Sequence, residues 1–431
     1  MIHVPQLKLR GSEVTLRSAV KACRLPEETW PEEILHRRLC VSQRGSRTVV
    51  LLADPAEVSR VLVESEKRFP KWLPIYRHSA ARETGSGTIF ASTEADWVPL
   101  RRAIKPLFHS SRWSLLVDVA RHATLDAITT GNPTKVEAFF TAISVDVIVR
   151  TLVGDDADAT ADYQLAAIAQ GLVDRQHAGD LGGAMQQIRA LANICSARGP
   201  GDAAISGVDM AGELPPRPRP MEEPFLADNR LGLLYAGQET TALTMSWCFW
   251  ILGQDKELQS RLRTECREAM AATGCLSPEA VGKMPRLMAV FRETLRLLTP
   301  SSTTVRCTTQ DETLCGEEIP ANSVIVVPIY AIHRHRDLWD DPDTFDAERF
   351  LRPIKHPMAF LPFAAGRHTC AAARSVMYEM TAVLATMLDR FEWVTHAPED
   401  MGMANKLVLS PTSEMKVTIQ ELEPSGAAVT A

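Results

Sequence analysis

Nothing in this sequence pairs its cysteines. The nine, at positions 23, 40, 195, 248, 266, 275, 307, 315 and 370, are odd in number, and no two stand as Cys-x-x-Cys. Neither a disulfide framework nor a zinc ribbon is indicated. From Met1 to Gly11 there is no apolar run of the kind a signal peptide or membrane anchor carries, so a cytoplasmic protein is expected. Positive charge is not in excess: the formal net charge is −6 at pH 7, which argues against a nucleic-acid partner. There is no internal repeat and no flavin or iron–sulfur motif. No linker splits the chain in half, so residues 1–431 are expected to form one domain, although the length would accommodate more.

Apolar side chains are plentiful, at 45% of the residues, enough for a large core. One stretch, Leu231 to Gln254, is nearly all apolar and long enough to span a bilayer, with Glu239 its only formal charge. Its polar cluster Gln238-Glu-Thr-Thr241 would be costly in lipid, so a buried helix from about Leu226 to Leu252 is expected instead. Periodicity predicts further helices over 115–129, 136–153, 158–197, 255–272 and 278–282. Strands are predicted over 47–53, 301–308 and 323–328, with a last hairpin around Pro411 between Leu407 and Ile419. Residues 70–93 mix Pro and Gly with Trp72, Tyr76 and Ile89 and read as a substrate-facing loop; Gly199 to Pro224 is proline-rich and reads as a mobile connection.

The chemistry concentrates at Phe363-Ala-Ala-Gly-Arg-His-Thr-Cys370, followed by a segment from Ala371 to Phe391 without Gly or Pro. That order is loop, cysteine, helix. Unpaired amides and the positive dipole end of a helix stabilise a thiolate at its start, and Gly366 lets the loop turn tightly and approach something flat. A thiolate shown to a planar object is what axial ligation of haem iron requires.

Four other patterns accompany it. Trp97 and Arg101 stand four apart, on one face if helical. Ala236-Gly-Gln-Glu-Thr-Thr241 interrupts the apolar helix, where Thr240 can bond a carbonyl one turn back and Glu239 can supply protons. Glu293 and Arg296 are i, i+3 neighbours in an apolar helix, placed for a buried bidentate pair. Phe345-Asp-Ala-Glu-Arg349-Phe350 follows.

Together, and in this order, the patterns resemble those of the cytochrome P450 family: F-x-x-G-x-[HR]-x-C, W-x-x-x-R, A-G-x-[DE]-T-[TS], E-x-x-R and P-E-R-F. Ala347 replaces the proline of the last, and Ala364 and Ala372 stand where the family usually has glycine. The resemblance implies a mostly α fold with a small β-rich lobe, and haem b buried between the long central helix and the cysteine loop. It implies Cys370 as the iron ligand, with Phe363, Gly366 and His368 of the same loop in the cofactor site. Trp97, Arg101, Arg306 and His368 would bind the haem carboxylates. Glu239 and Thr240 would deliver protons to O2 bound at iron, and Arg349 would join Glu293 and Arg296 in a structural triad.

The implied activity is a monooxygenase that hydroxylates or epoxidises a hydrophobic small molecule, in secondary metabolism. Its electrons would come from a separate ferredoxin or flavodoxin with its reductase. Two alternatives share these motifs: a haem-thiolate enzyme of oxidative cyclisation, coupling or rearrangement, and a haem-binding sensor without turnover. The Glu239–Thr240 pair argues against the sensor.

Overall fold

The computed structural model describes residues 2–7, 9, 30–44, 47–64, 67–74, 89–90, 92–153, 223–405 and 408–423. The helices expected over 158–197, the proline-rich connection, Leu407 and most of the 70–93 loop lie outside them. Among the described residues the helices are α1 (Pro55–Ser59), α2 (Glu94–Ile104), α3 (Trp113–Thr130), α4 (Val136–Val153), α5 (Glu223–Leu252), α6 (Lys256–Thr273), α7 (Pro278–Gly282), α8 (Pro285–Leu297), α9 (Ile329–Ile332) and α10 (Ala373–Arg390). The strands are β1 (Leu39–Arg44), β2 (Arg47–Leu52), β3 (Thr304–Cys307), β4 (Glu312–Leu314), β5 (Glu317–Ile319), β6 (Val324–Val327), β7 (Phe391–Thr395), β8 (Met403–Asn405), β9 (Leu409–Pro411) and β10 (Val417–Glu421). This is the mostly α architecture with small sheets that the sequence predicts.

The chain divides into two compact units, each drawn from three stretches. The first comprises Met1–Ser79, Arg292–Cys370 and Glu399–Ser413; the second comprises Ala80–Phe291, Ala371–Pro398 and Glu414–Ala431.

In the first unit, β1, β2, β6 and β3 form a sheet in that order, with β2 and β6 parallel and the other pairs antiparallel. Strand β6 is paired on both edges and all four of its residues are buried, which explains its unbroken Val-Ile-Val-Val run. Strand β2 ends at Asp54-Pro55 because Asp54 caps α1, accepting from the amides of Ala56 and Glu57, while Pro55 takes the first helical position. Helix α1 runs on into a π-helical turn, Arg60–Glu64. The hairpin of β4 and β5 turns through Cys315 and Gly316 at φ 51° and 83°.

In the second unit α4 packs on α5, and α10 packs against α3 and α6. Every residue from Thr241 to Leu252 is buried, the interior helix the sequence predicts. Its end is stapled by Gln259, whose side-chain amide donates to the carbonyls of Leu252 and Trp393, both at 2.8 Å. Trp393 stacks on Phe249 with ring centroids 4.1 Å apart and donates its indole N–H to the Phe249 carbonyl.

The hairpin expected around Pro411 does not form. Strand β9 pairs back with β8, and β10 pairs with β7 instead. The chain passes from one unit to the other between Ser413 and Glu414, which separates the two segments that adjacency in sequence suggested as partners.

Candidate active site

The cysteine loop belongs to the first unit and is closed at its base. The amide of Cys370 donates to the carbonyl of Phe363 at 2.9 Å, and the Thr369 hydroxyl donates to the same oxygen at 3.1 Å. Gly366 to His368 form a single 3-10 turn between those ends. Cys370 is exposed. Helix α10 starts at Ala373, two residues later than expected, with Ala372 in the cap position and no side chain capping its first amides. Those amides leave a positive helix end just after the cysteine, a setting that favours thiolate. The donor fits haem: a soft sulfur ligand on an exposed residue of a loop whose ends are tied by hydrogen bonds.

The two departures from the family pattern differ in consequence. Ala372 has φ −90°, where alanine is at ease, whereas Ala364 has φ 56° and is held in the left-handed region. Gly366 is needed for a reason the sequence did not reveal. Its φ is 73°, and a β-carbon there would lie 1.9 Å from the carbonyl oxygen of Leu62. The surface that approaches this glycine is the π-helical turn, and only a residue without a side chain fits beneath it.

The ion-pair core belongs to the same unit as the loop. Arg296 donates from Nε and Nη2 to the two carboxylate oxygens of Glu293, each at 2.7 Å, with both side chains fully buried. Its remaining donors reach the carbonyls of His333, Pro342 and Thr344. Glu293 also accepts from the Asp346 amide at 2.9 Å and faces Arg349 Nε at 3.4 Å, so the expected triad of Glu293, Arg296 and Arg349 is present. Both guanidinium groups lie over the Trp339 ring, at 5.1 and 5.8 Å. Arg306 stands on β3, 2% exposed, and donates from Nη1 to Thr304 Oγ1 and the Val305 carbonyl.

The remaining predicted residues are on helices of the second unit. Trp97 is buried on α2 and Arg101 follows one turn later, half-buried. Pro99 lies inside this helix without delaying its start, because Thr93 caps it and bonds Asp96. On α5, the Thr240 hydroxyl donates to the Ala236 carbonyl at 2.9 Å, the back-bond its position suggested. Glu239 keeps part of its surface accessible, but desolvation by burial pushes its carboxyl up to about 7. Gly237 meets another helix: a β-carbon would sit 2.3 Å from Cδ1 of Ile148 on α4.

Two contributors went unread in the sequence. The π-helical turn carries no local signal for its role against Gly366. His333, buried between Arg296 and Leu361, stands in Ile332-His-Arg-His-Arg336, which reads as a charged surface loop.

A family model described as Cytochrome P450 matches residues 218–419, a span that holds α5, the ion-pair core and the cysteine loop. Cytochrome P450 714C2 of Oryza sativa subsp. japonica is 33% identical over 210 residues, 46% of this chain and 39% of that protein. Cytochrome P450 734A6 of the same plant is 25% identical over 450 residues, 88% of this chain and 81% of that protein. A protein named cytokinin hydroxylase from Arabidopsis thaliana is 34% identical over 181 residues, 40% of this chain and 35% of its own length. The first three relatives are matched over 37 to 39% of their own length.

Proposed function

We propose that this chain, which belongs to the cytochrome P450 family, is a haem-thiolate monooxygenase that hydroxylates or epoxidises a hydrophobic small molecule. The observation that carries this reading is the exposed Cys370 on a loop closed at Phe363, ahead of an uncapped helix start. When bound through that sulfur, haem b supplies the activation of O2 and the transfer of one oxygen atom to a C–H or C=C bond.

The protein's own residues then have separable tasks. Cys370 would hold the iron as a thiolate. Thr240 donates its hydroxyl proton to the Ala236 carbonyl, so its Oγ1 lone pairs remain to accept a further hydrogen bond. The carboxyl of Glu239, raised to about 7, changes protonation in the physiological range and is suited to passing protons. Trp97, Arg101, Arg306 and His368 are the groups we assign to the haem carboxylates. We assign residues 1–431 to a single catalytic domain.

A relative named for hydroxylation favours hydroxylation here. The apolar residues Leu233 and Leu234 on α5 suit a hydrophobic substrate, and secondary metabolism is the setting we assign. No helix among the described residues is long and apolar enough to cross a membrane. We assign a cytoplasmic protein that takes electrons from a separate ferredoxin or flavodoxin. Incubation under isotopically labelled O2 with a reducing system tests the activity. Thr240→Ala should retain haem and lose about 10²-fold in productive turnover while electrons pass to peroxide. Full coupling in that variant, or product without label, would overturn the assignment.

A further inference from the structure

We propose that His333 is a positioning residue for the cysteine loop, a neutral imidazole with its proton on Nδ1 that ties the ion-pair core to the segment leading into Cys370. The inference rests on Cys370 being the haem ligand. His333 follows α9 directly and is 0% exposed. Its Nδ1 lies 3.1 Å from the carbonyl of Arg296, a group that can only accept. Its Nε2 lies 2.8 Å from the amide of Leu361, a group that can only donate. The two partners therefore demand opposite roles of the two nitrogens, and a single neutral tautomer meets both. Burial and the Arg296 guanidinium hold the ring neutral, its pKa down at about 3. The contrast two residues on is instructive: His335 Nδ1 accepts from the Asp337 amide and Nε2 faces the Arg37 carbonyl, the other tautomer.

The contact is reciprocal at one end and directed at the other. Arg296 Nη1 donates to the backbone carbonyl of His333 at 2.8 Å, so residue and ring are both locked to the Glu293–Arg296 pair. The ring stacks on Phe360, with centroids 5.5 Å apart. Leu361, whose amide the ring holds, then accepts from the Ala364 amide and opens the turn that includes Phe363. The Phe363 carbonyl receives the Cys370 amide. From His333 to the sulfur-bearing residue there is thus a continuous run of hydrogen bonds within one unit. Without the imidazole the Leu361 amide would be a buried donor with its acceptor removed, and the loop base could shift to satisfy it.

Two substitutions separate the bonds. His333→Gln can place its amide oxygen where Nε2 stands and keep the Leu361 bond; His333→Asn can place its NH2 where Nδ1 stands and keep only the Arg296 bond. Haem-loaded, reduced, CO-treated proteins are followed by their Soret band, together with thermal midpoints. The Asn variant should convert from the thiolate-type to the imidazole- or thiol-type band about tenfold faster than the Gln variant at comparable midpoints. Equal conversion rates, or rates that only track the midpoints, would overturn the proposal. Should the Asn variant not fold, hydrogen exchange at the Leu361 amide decides. Protection in wild type and in the Gln variant supports the tie, and rapid exchange in wild type refutes it. A wild-type protein with no thiolate-type band at all overturns the reading of Cys370 itself, an outcome distinct from these.

Discussion

Glu293 and Arg296 meet across one turn of α8 through two parallel hydrogen bonds of 2.7 Å, and neither side chain has any exposed surface. Such a pair stabilises less than its Coulomb attraction suggests, because both charges have left water, but breaking it strands one of them. Glu293→Ala should therefore cost about 3–5 kcal/mol and yield little soluble haem protein. A folded, haem-loaded Glu293→Ala protein of near wild-type stability in urea would show that the pair is dispensable.

The cysteine loop carries one strained residue and one obligatory glycine. Ala364 at φ 56° pays a penalty that glycine would not, so Ala364→Gly should gain up to about 1 kcal/mol after glycine's greater unfolded freedom is deducted. Gly366→Ala should do the reverse and prevent haem incorporation, since the new β-carbon would press on the Leu62 carbonyl. Urea midpoints and haem content check both; an inert Gly366→Ala substitution would mean that the π-helical turn does not constrain the loop.

Glu239 makes stability depend on pH in a set direction. Burial raises its carboxyl from 4.5 to about 7 in the folded protein. Below 4.5 folded and unfolded chains both hold the proton and nothing is lost. Between 4.5 and 7 the unfolded chain releases it first, so the folded state is progressively disfavoured, by about 3 kcal/mol in all. Glu239→Gln should remove this slope, so that variant and wild type diverge over that window and run parallel above it. Parallel curves through the whole window would place Glu239 in a more hydrated setting.

Much of this was legible in advance, and the rest was not for identifiable reasons. The loop of Cys370, the Glu293–Arg296 pair and the polar break at Thr240 are local patterns, and local patterns survive reading without a structure. Strand pairing is not local: β10 pairs with β7 rather than with the neighbouring segment around Pro411. The β4–β5 hairpin escaped notice because its strands are three residues long and carry Glu312, Glu317 and Glu318, with little apolar alternation to mark them. His333 was hidden because its partners, Arg296 and Leu361, are separated from it by 37 and 28 residues.

Electron delivery has a surface prediction of its own. On the second unit Arg102, Lys105 and Arg374 are exposed, and we assign them, with the half-buried Arg112, to the docking of an acidic redox partner. Reversing charge at Arg102 and Lys105 should slow reduction in stopped flow, and the wild-type rate should fall steeply with salt. Rates indifferent to both would move the docking site elsewhere.

The central claim, that Cys370 ligates haem iron, is tested most directly by the absorption spectrum of the reduced, CO-bound protein. Wild type should give the red-shifted Soret band of thiolate ligation, and Cys370→His should give the shorter-wavelength band of imidazole ligation. An imidazole-type band in undamaged wild-type protein, or an unchanged thiolate band in the Cys370→His variant, would contradict it.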